Sequence, residues 1–83
     1  MTVDEFNDKY DEWLEAGHYG LSINNEHIIK FLDNIFQDLT KIEGFSYSQI
    51  KLKYGMVRFY AEGISFTLSG MIENRLTKIL EDK

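Results

Sequence analysis

Two sets of side chains in this sequence carry charge at a spacing regular enough to act on a partner. The first is acidic: Asp4, Asp8, Asp11 and Glu15, with Glu12 beside them. On an α-helix, at about 100° per residue, the first four fall within roughly 60° of one another. Like charges one turn apart cost about 0.2–0.5 kcal/mol per pair. Glu12 and Glu15 also fall near the end of such a helix, where the macrodipole disfavours anions. A helix that bears this cost can mimic nucleic-acid phosphates and occupy the basic groove of a nucleic-acid-handling protein. The alternative is a solvated face that keeps the chain soluble. The second set is basic and aromatic: Lys51, Lys53, Arg58 and Tyr60, with Tyr47. Cations beside aromatic rings are what single-stranded nucleic acid binding uses, for phosphates and for stacked bases. Two plainer readings stand beside that one. The face is ordinary surface with lysines blunting a sheet edge, or it receives the acidic helix of this chain or of a second copy.

Other chemistry finds little support. His18 and His27 lie far apart, and zinc needs three or four converging ligands. Ser65, Thr67 and Ser69 have no base or orienting acid placed beside them by the sequence, so they read as caps rather than nucleophiles. General acid–base work needs carboxylates in partly buried, perturbing surroundings, and these are striped for the surface. Gly17 and Gly20 lack the helix that follows a phosphate-binding loop. The expectation is a non-enzymatic chain with no metal and no cofactor.

These side chains have to be positioned by a few elements. Thr2-Val3-Asp4-Glu5 fits a capping box, so a first helix begins at Thr2. Val3, Phe6, Tyr10, Trp13 and Leu14 form its apolar stripe, and Gly17 is its expected stop. A second helix begins at Asn24 or Asn25. Ile28, Leu32, Ile35, Leu39 and Ile42 form its buried stripe, Ile29 and Phe36 broaden it, and Gly44 ends it. The aromatics Phe6, Tyr10, Trp13, Phe31, Phe36 and Phe59 sit at core spacing.

Gln49 through Ala61 reads as a β-hairpin with Tyr54-Gly55 at its tip. Leu52 then faces Val57, Ile50 faces Phe59 and Ser48 faces Ala61 on one side. Lys51 opposite Arg58 and Gln49 opposite Tyr60 lie on the other, because opposed residues share a face. The pairing of Lys51 with Arg58 sets like charges together, which points to a negative group nearby. A slip of one residue would bury Lys51 and Arg58, so the pattern pins the register. Phe45 and Tyr47 have the opposite parity from Ile50, which a bulge near Ser48 reconciles. Ile64–Leu68 is readable two ways. It alternates like a third strand, and it also opens the helical series Ile64, Leu68, Ile72, Leu76, Ile79 and Leu80, capped by Ser65. The expected fold class is α+β in a single small domain over residues 1–83. It has two N-terminal helices, an antiparallel β-hairpin and a C-terminal helix, packed over the Ile50/Leu52/Val57/Phe59 face.

Composition narrows the classes further. The chain has 83 residues and neither cysteine nor proline. No disulfide framework is available, which fits a reducing cytoplasm. No 18-residue apolar run spans a membrane, and the acidic start at Met1–Phe6 lacks the basic region of a signal peptide. Residues 1–38 carry nine acids and two bases, a balance of −7, and residues 39–83 five acids and seven bases, a balance of +2, which together give the net −5. Such a split points to pairing between the halves or to two surfaces with different partners. The overall acidity argues against nonspecific attraction to nucleic acid or anionic membranes.

Gln49-Ile50-Lys51-Leu52-Lys53-Tyr54-Gly55-Met56-Val57-Arg58-Phe59-Tyr60 resembles the QVKEKFGGLRFY signature of a group of small proteins common in phage and prophage genomes. Leu68-Ser69-Gly70-Met71 is similar to the ISGM that opens a later helix in that group. The resemblance covers roughly residues 20–75, with about a dozen specific positions. Met56 stands where the signature has its second glycine, and Ile64-Ser65-Phe66 replaces an acidic turn. The resemblance favours helix over strand at Ile64–Leu68 and transfers no catalytic residue. It implies a phage or prophage accessory protein acting in the bacterial cytoplasm. Taken with the acidic row, the expectation is a non-enzymatic protein that binds a host protein through Asp4, Asp8, Asp11, Glu12 and Glu15. Its most concrete form is an anti-CRISPR-like inhibitor of a host defence. One alternative is a small nucleic-acid-binding module using Tyr47, Lys51, Lys53, Arg58 and Tyr60. Another is a self-associating structural protein in which acidic helix meets basic hairpin across a homodimer.

Overall fold

Thr2 opens the first helix with a complete capping box. Its hydroxyl accepts from the Glu5 N–H at 3.1 Å, and Glu5 Oε1 accepts from the Thr2 N–H at 2.8 Å. The computed structural model, which describes residues 1–82, shows this helix, α1, over Val3–Lys9 only. The expected run to Gly17 does not form. Asp11–Trp13 make a single 3-10 turn, and Leu14 leaves in extended backbone. Leu14 then bridges Tyr47 in parallel, and the Glu15 N–H donates to the Tyr47 carbonyl at 2.9 Å. Isolated helices of this length are marginal, so pairing with a strand decides the path. The apolar stripe survives the break: Phe6 and Tyr10 are buried, and Val3, Trp13 and Leu14 pack against the core.

The remaining elements are β1 (Gly20–Leu21), α2 (Glu26–Leu39), β2 (Ser46–Lys53), β3 (Met56–Glu62) and α3 (Phe66–Glu81). The fold is α+β, with three helices and a mixed sheet in the order β1-β2-β3. β1 runs parallel to β2, and β3 antiparallel to it. The third strand therefore lies at Gly20–Leu21, not at 64–68. There the Ser65 hydroxyl caps α3 by accepting from the Leu68 N–H at 3.1 Å, and Ile72 and Leu76 are buried. Phe66, the one misfit of the helical series, is 95% exposed. α2 starts at Asn25, whose side chain accepts from the N–H groups of His27 and Ile28. It ends at Leu39, short of Ile42, which is exposed.

The hairpin has the expected register at Gln49↔Tyr60, Ile50↔Phe59, Lys51↔Arg58 and Leu52↔Val57. Tyr54 and Gly55 both have positive φ, 54° and 76°, the geometry of a type I′ turn. A bulge between Tyr47 and Gln49 makes Tyr47, not Ser48, the partner of Ala61. It also turns Tyr47 into the core. Leu52, near the tip, is half exposed and adds little to the inner face.

Phe36 of α2 is the hub of the core. Its ring lies 4.9–6.2 Å from those of Tyr10, Tyr47, Phe6, Phe45 and Phe59, mostly edge-on, the arrangement aromatic quadrupoles prefer. Helix side chains bond to both edges of the sheet. On β1, Asn7 Nδ2 donates to the Leu21 carbonyl at 3.0 Å while its Oδ1 accepts from the Leu21 N–H at 2.9 Å. On β3, the N–H groups of Val57 and Phe59 donate to Thr77 Oγ1 and Glu73 Oε2 at 3.1 and 2.9 Å. Unpaired strand edges invite aggregation, and these bonds cover part of each edge.

Candidate functional site

The charged side chains fall into two groups on different elements. Asp4 and Asp8 are exposed on α1, one turn or about 6 Å apart along its axis. Asp11 and Glu12 are exposed on the 3-10 turn. Glu15 is past the helical region, half-buried, and lines a different cleft. The expected four-carboxylate row on one helix face is therefore absent, because the helix stops at Lys9. What forms is an acidic N-terminal segment of five exposed carboxylates, Glu5 of the capping box among them, without the regular row.

Among the described residues, no ion pair reaches Asp4, Asp8, Asp11 or Glu12. Lys9, the only base in this segment, binds Asp33 Oδ1 of α2 at 2.8 Å. The Tyr10 hydroxyl donates to the same oxygen at 2.6 Å. Burial pushes the Asp33 carboxyl up, but the bonds from Lys9 and Tyr10 outweigh it and hold the group below its ordinary range. Burial, then the Asp33 carboxylate, raises the Tyr10 hydroxyl well above the usual tyrosine range. Glu5 is held low by the Thr2 N–H, so it serves the cap. Asp33, 24 residues from Lys9, gave no sequence signal for this role. Asn7 did: an asparagine inside a helix is a weak helix former and needs a structural reason.

The second group lies on the outer face of the sheet. Gln49 opposes Tyr60, Lys51 opposes Arg58 and Lys53 opposes Met56, while their inward neighbours Ile50, Val57 and Phe59 are buried. Lys51 Nζ sits 5.7 Å from the Tyr60 ring centroid, and Lys53 Nζ 5.9 Å from that of Tyr54. Arg58 Nη1 approaches Glu73 Oε1 at 3.9 Å, a long contact, since the other Glu73 oxygen is held by the Phe59 N–H. The negative group expected near Lys51 and Arg58 is thus Glu73 of α3, and it reaches Arg58. Tyr47, expected on this face, is instead fully buried, and its hydroxyl has no hydrogen-bond partner among the described residues. Burial, with Asp11 adding, pushes that hydroxyl up to about 12.

Two open clefts border the outer face. One of about 640 Å³ runs between β3 and the start of α3, past Glu15, Ser48, Arg58, Tyr60, Phe66 and Glu73. The other, about 280 Å³, lies on the β1 side between Tyr19, Gly20, Ser22, Gln49 and Lys51. Tyr19 is 83% exposed, and it was not singled out as a surface residue from the sequence. His18 and His27 are exposed, and among the described residues no group of three or more His, Asp or Glu is placed to hold a metal. No described helix is long and apolar enough to cross a membrane. No family model, curated protein or solved structure shows significant similarity to the chain.

Proposed function

We propose that this chain is a non-enzymatic, phage-type accessory protein that binds a host protein through its acidic N-terminal segment. The observation that carries the proposal is the state of Asp4, Asp8, Asp11 and Glu12. All four are exposed within nine residues, and none has a cationic partner among the described residues. Carboxylates left uncompensated at a surface draw a basic partner by complementarity, which governs encounter rate and specificity more than raw affinity. The partner chemistry is a basic groove, such as one that handles nucleic acid. The likeness of Gln49–Tyr60 to the phage signature supports a role in the bacterial cytoplasm, with inhibition of a host defence as its most specific form. The break after Lys9 changes the mode expected: the acids serve as an irregular anionic patch, not as a ladder with phosphate spacing.

The test is capture from bacterial lysate with wild type and with D8K/D11K/E12K, read by mass spectrometry. Asp4 is left in place because an anion in the first turn stabilises α1. A nucleic-acid-handling protein retained by wild type and lost by the variant is the expected result. The same profile from both chains would refute the acidic-segment reading.

A further inference from the structure

The outer face of the sheet has three properties that the acidic-segment reading does not use. First, its cations are held in place by the ladder. Lys51 and Lys53 stand two residues apart on β2, about 7 Å along the strand, and Arg58 stands directly across from Lys51. Like charges in that opposed position destabilise a sheet, and Glu73 meets only Arg58, at 3.9 Å. Secondly, tyrosines flank this row on both sides. Tyr60 on β3 is 41% exposed beneath the Lys51 ammonium, and Tyr19, before β1, is 83% exposed at the cleft it shares with Lys51. Thirdly, the buried apolar residues of the hairpin all point to the opposite face, which leaves this one open to solvent.

From this arrangement we infer a second binding site: the outer face formed by Lys51, Lys53, Arg58, Tyr60 and Tyr19 binds single-stranded nucleic acid. Anionic phosphates would relieve the repulsion between Lys51 and Arg58. Exposed tyrosine rings offer stacking platforms that accept any base. Stacking needs an unpaired base, so the occupant is a single strand and not a duplex. The surrounding acids limit the strength of binding. Glu73 competes for Arg58, Glu15 and Glu62 line the cleft past Tyr60, and the net charge of −5 opposes polyanions at long range. Binding is therefore weak, short-range and sensitive to salt. It depends on side chains distinct from the acidic segment, so either proposal can fail without the other.

The experiment is fluorescence anisotropy with a labelled oligo(dT) of about a dozen nucleotides, from low to physiological salt. Each phosphate neutralised on a single strand contributes about −0.7 to the slope of log affinity against log salt. Three cations predict a slope of about −2. K51E/K53E lowers affinity by more than tenfold. Tyr60→Ala lowers it by about tenfold, the usual size for one stacked base, while Tyr60→Phe keeps it. D8K/D11K/E12K binds no more weakly than wild type. Circular dichroism confirms that each variant is folded, and Lys53→Glu alone, at an exposed position, serves if the double variant is not. The inference is overturned if no oligo(dT) binding is detected at low salt. It is equally overturned if folded K51E/K53E binds like wild type, or if duplex binds as well as single strand and Tyr60→Ala is silent.

Discussion

The acidic N-terminal segment and the basic face of the hairpin hold their charges in opposite ways. On the hairpin, the pleat and register place Lys51, Lys53 and Arg58, and a slip of one residue would drive Lys51 and Arg58 into the core. The backbone itself encodes that surface. In the N-terminal segment, the acids ride on two turns of helix and one 3-10 turn, whose course is set by other residues. Phe6 and Tyr10 lock into the Phe36 cluster, Asn7 grips Leu21, and Leu14 bridges Tyr47. Asp8, Asp11 and Glu12 make no ion pair among the described residues that would help in that positioning. Surface charge on a strand pair is thus fixed locally, while charge on a short helical segment goes where its core anchors take it.

Removing a core anchor of the N-terminal segment has the largest expected effect. Phe6→Ala should cost about 3–5 kcal/mol, against a total of roughly 4–12 kcal/mol expected for a domain of this length. Leu52→Ala, half exposed on the hairpin, should cost less than about 1 kcal/mol. Urea denaturation compares the two. Similar losses would mean that the N-terminal segment is not held by its core contacts. Asn7→Ala comes next, at about 1–3 kcal/mol, because both polar groups of Leu21 lose their partner. Gly20→Ala should be destabilising through the same contact. The glycine has φ +71°, and an added Cβ would lie 2.6 Å from Asn7 Oδ1.

Titration gives an effect of intermediate size. The Tyr47 hydroxyl is raised from its ordinary value of 10 to about 12. The folded state favours its neutral form, so this stability is complete below pH 10 and is lost as pH rises from 10 to 12. Tyr47→Phe should lessen that alkaline loss and, by removing a buried hydroxyl without a partner, raise stability by about 1 kcal/mol. Asp33 has the opposite sign: its carboxyl is lowered in the folded state. Its contribution is present above the ordinary carboxylate range and fades as pH falls through the lowered value. Thermal midpoints across pH check both limbs. The smallest effect belongs to the acids themselves. Each of D8K, D11K and E12K should change stability by no more than about 0.5 kcal/mol, because all three are exposed and none is paired among the described residues.

The hairpin register, its bulge, its turn and the Thr2 cap were legible in the sequence, the α2 cap to within one residue (Asn24 or Asn25) and the Ser65 cap on one of two readings of Ile64–Leu68, because each is written within a few neighbouring residues. Thr2 with Glu5, Asn25, Ser65 and Tyr54-Gly55 act over one to four positions. What was not legible depends on residues distant in the chain. Nothing near Gly20-Leu21 shows that the pair becomes a strand, since its partners are Gln49 and Ile50 and its outer edge is satisfied by Asn7. The stop at Lys9 follows from pairing between Leu14 and Tyr47. Burial of Tyr47 follows from the bulge: once a bulge at Ser48 is accepted, its parity already directs Tyr47 inward. Of the candidate sites, the hairpin face kept its cations and Tyr60 and lost Tyr47, while the acidic row kept its exposed charges and lost its geometry.

In the proposed function, the N-terminal acids occupy a basic, nucleic-acid-handling surface of a host protein. The most direct test is competition. The captured host protein is loaded with its labelled nucleic acid and titrated with wild type or with D8K/D11K/E12K while the label is followed. Displacement by wild type near equimolar ratio, with none by the variant, is the predicted result. Nucleic acid that stays bound while wild type saturates the host protein would contradict the claim.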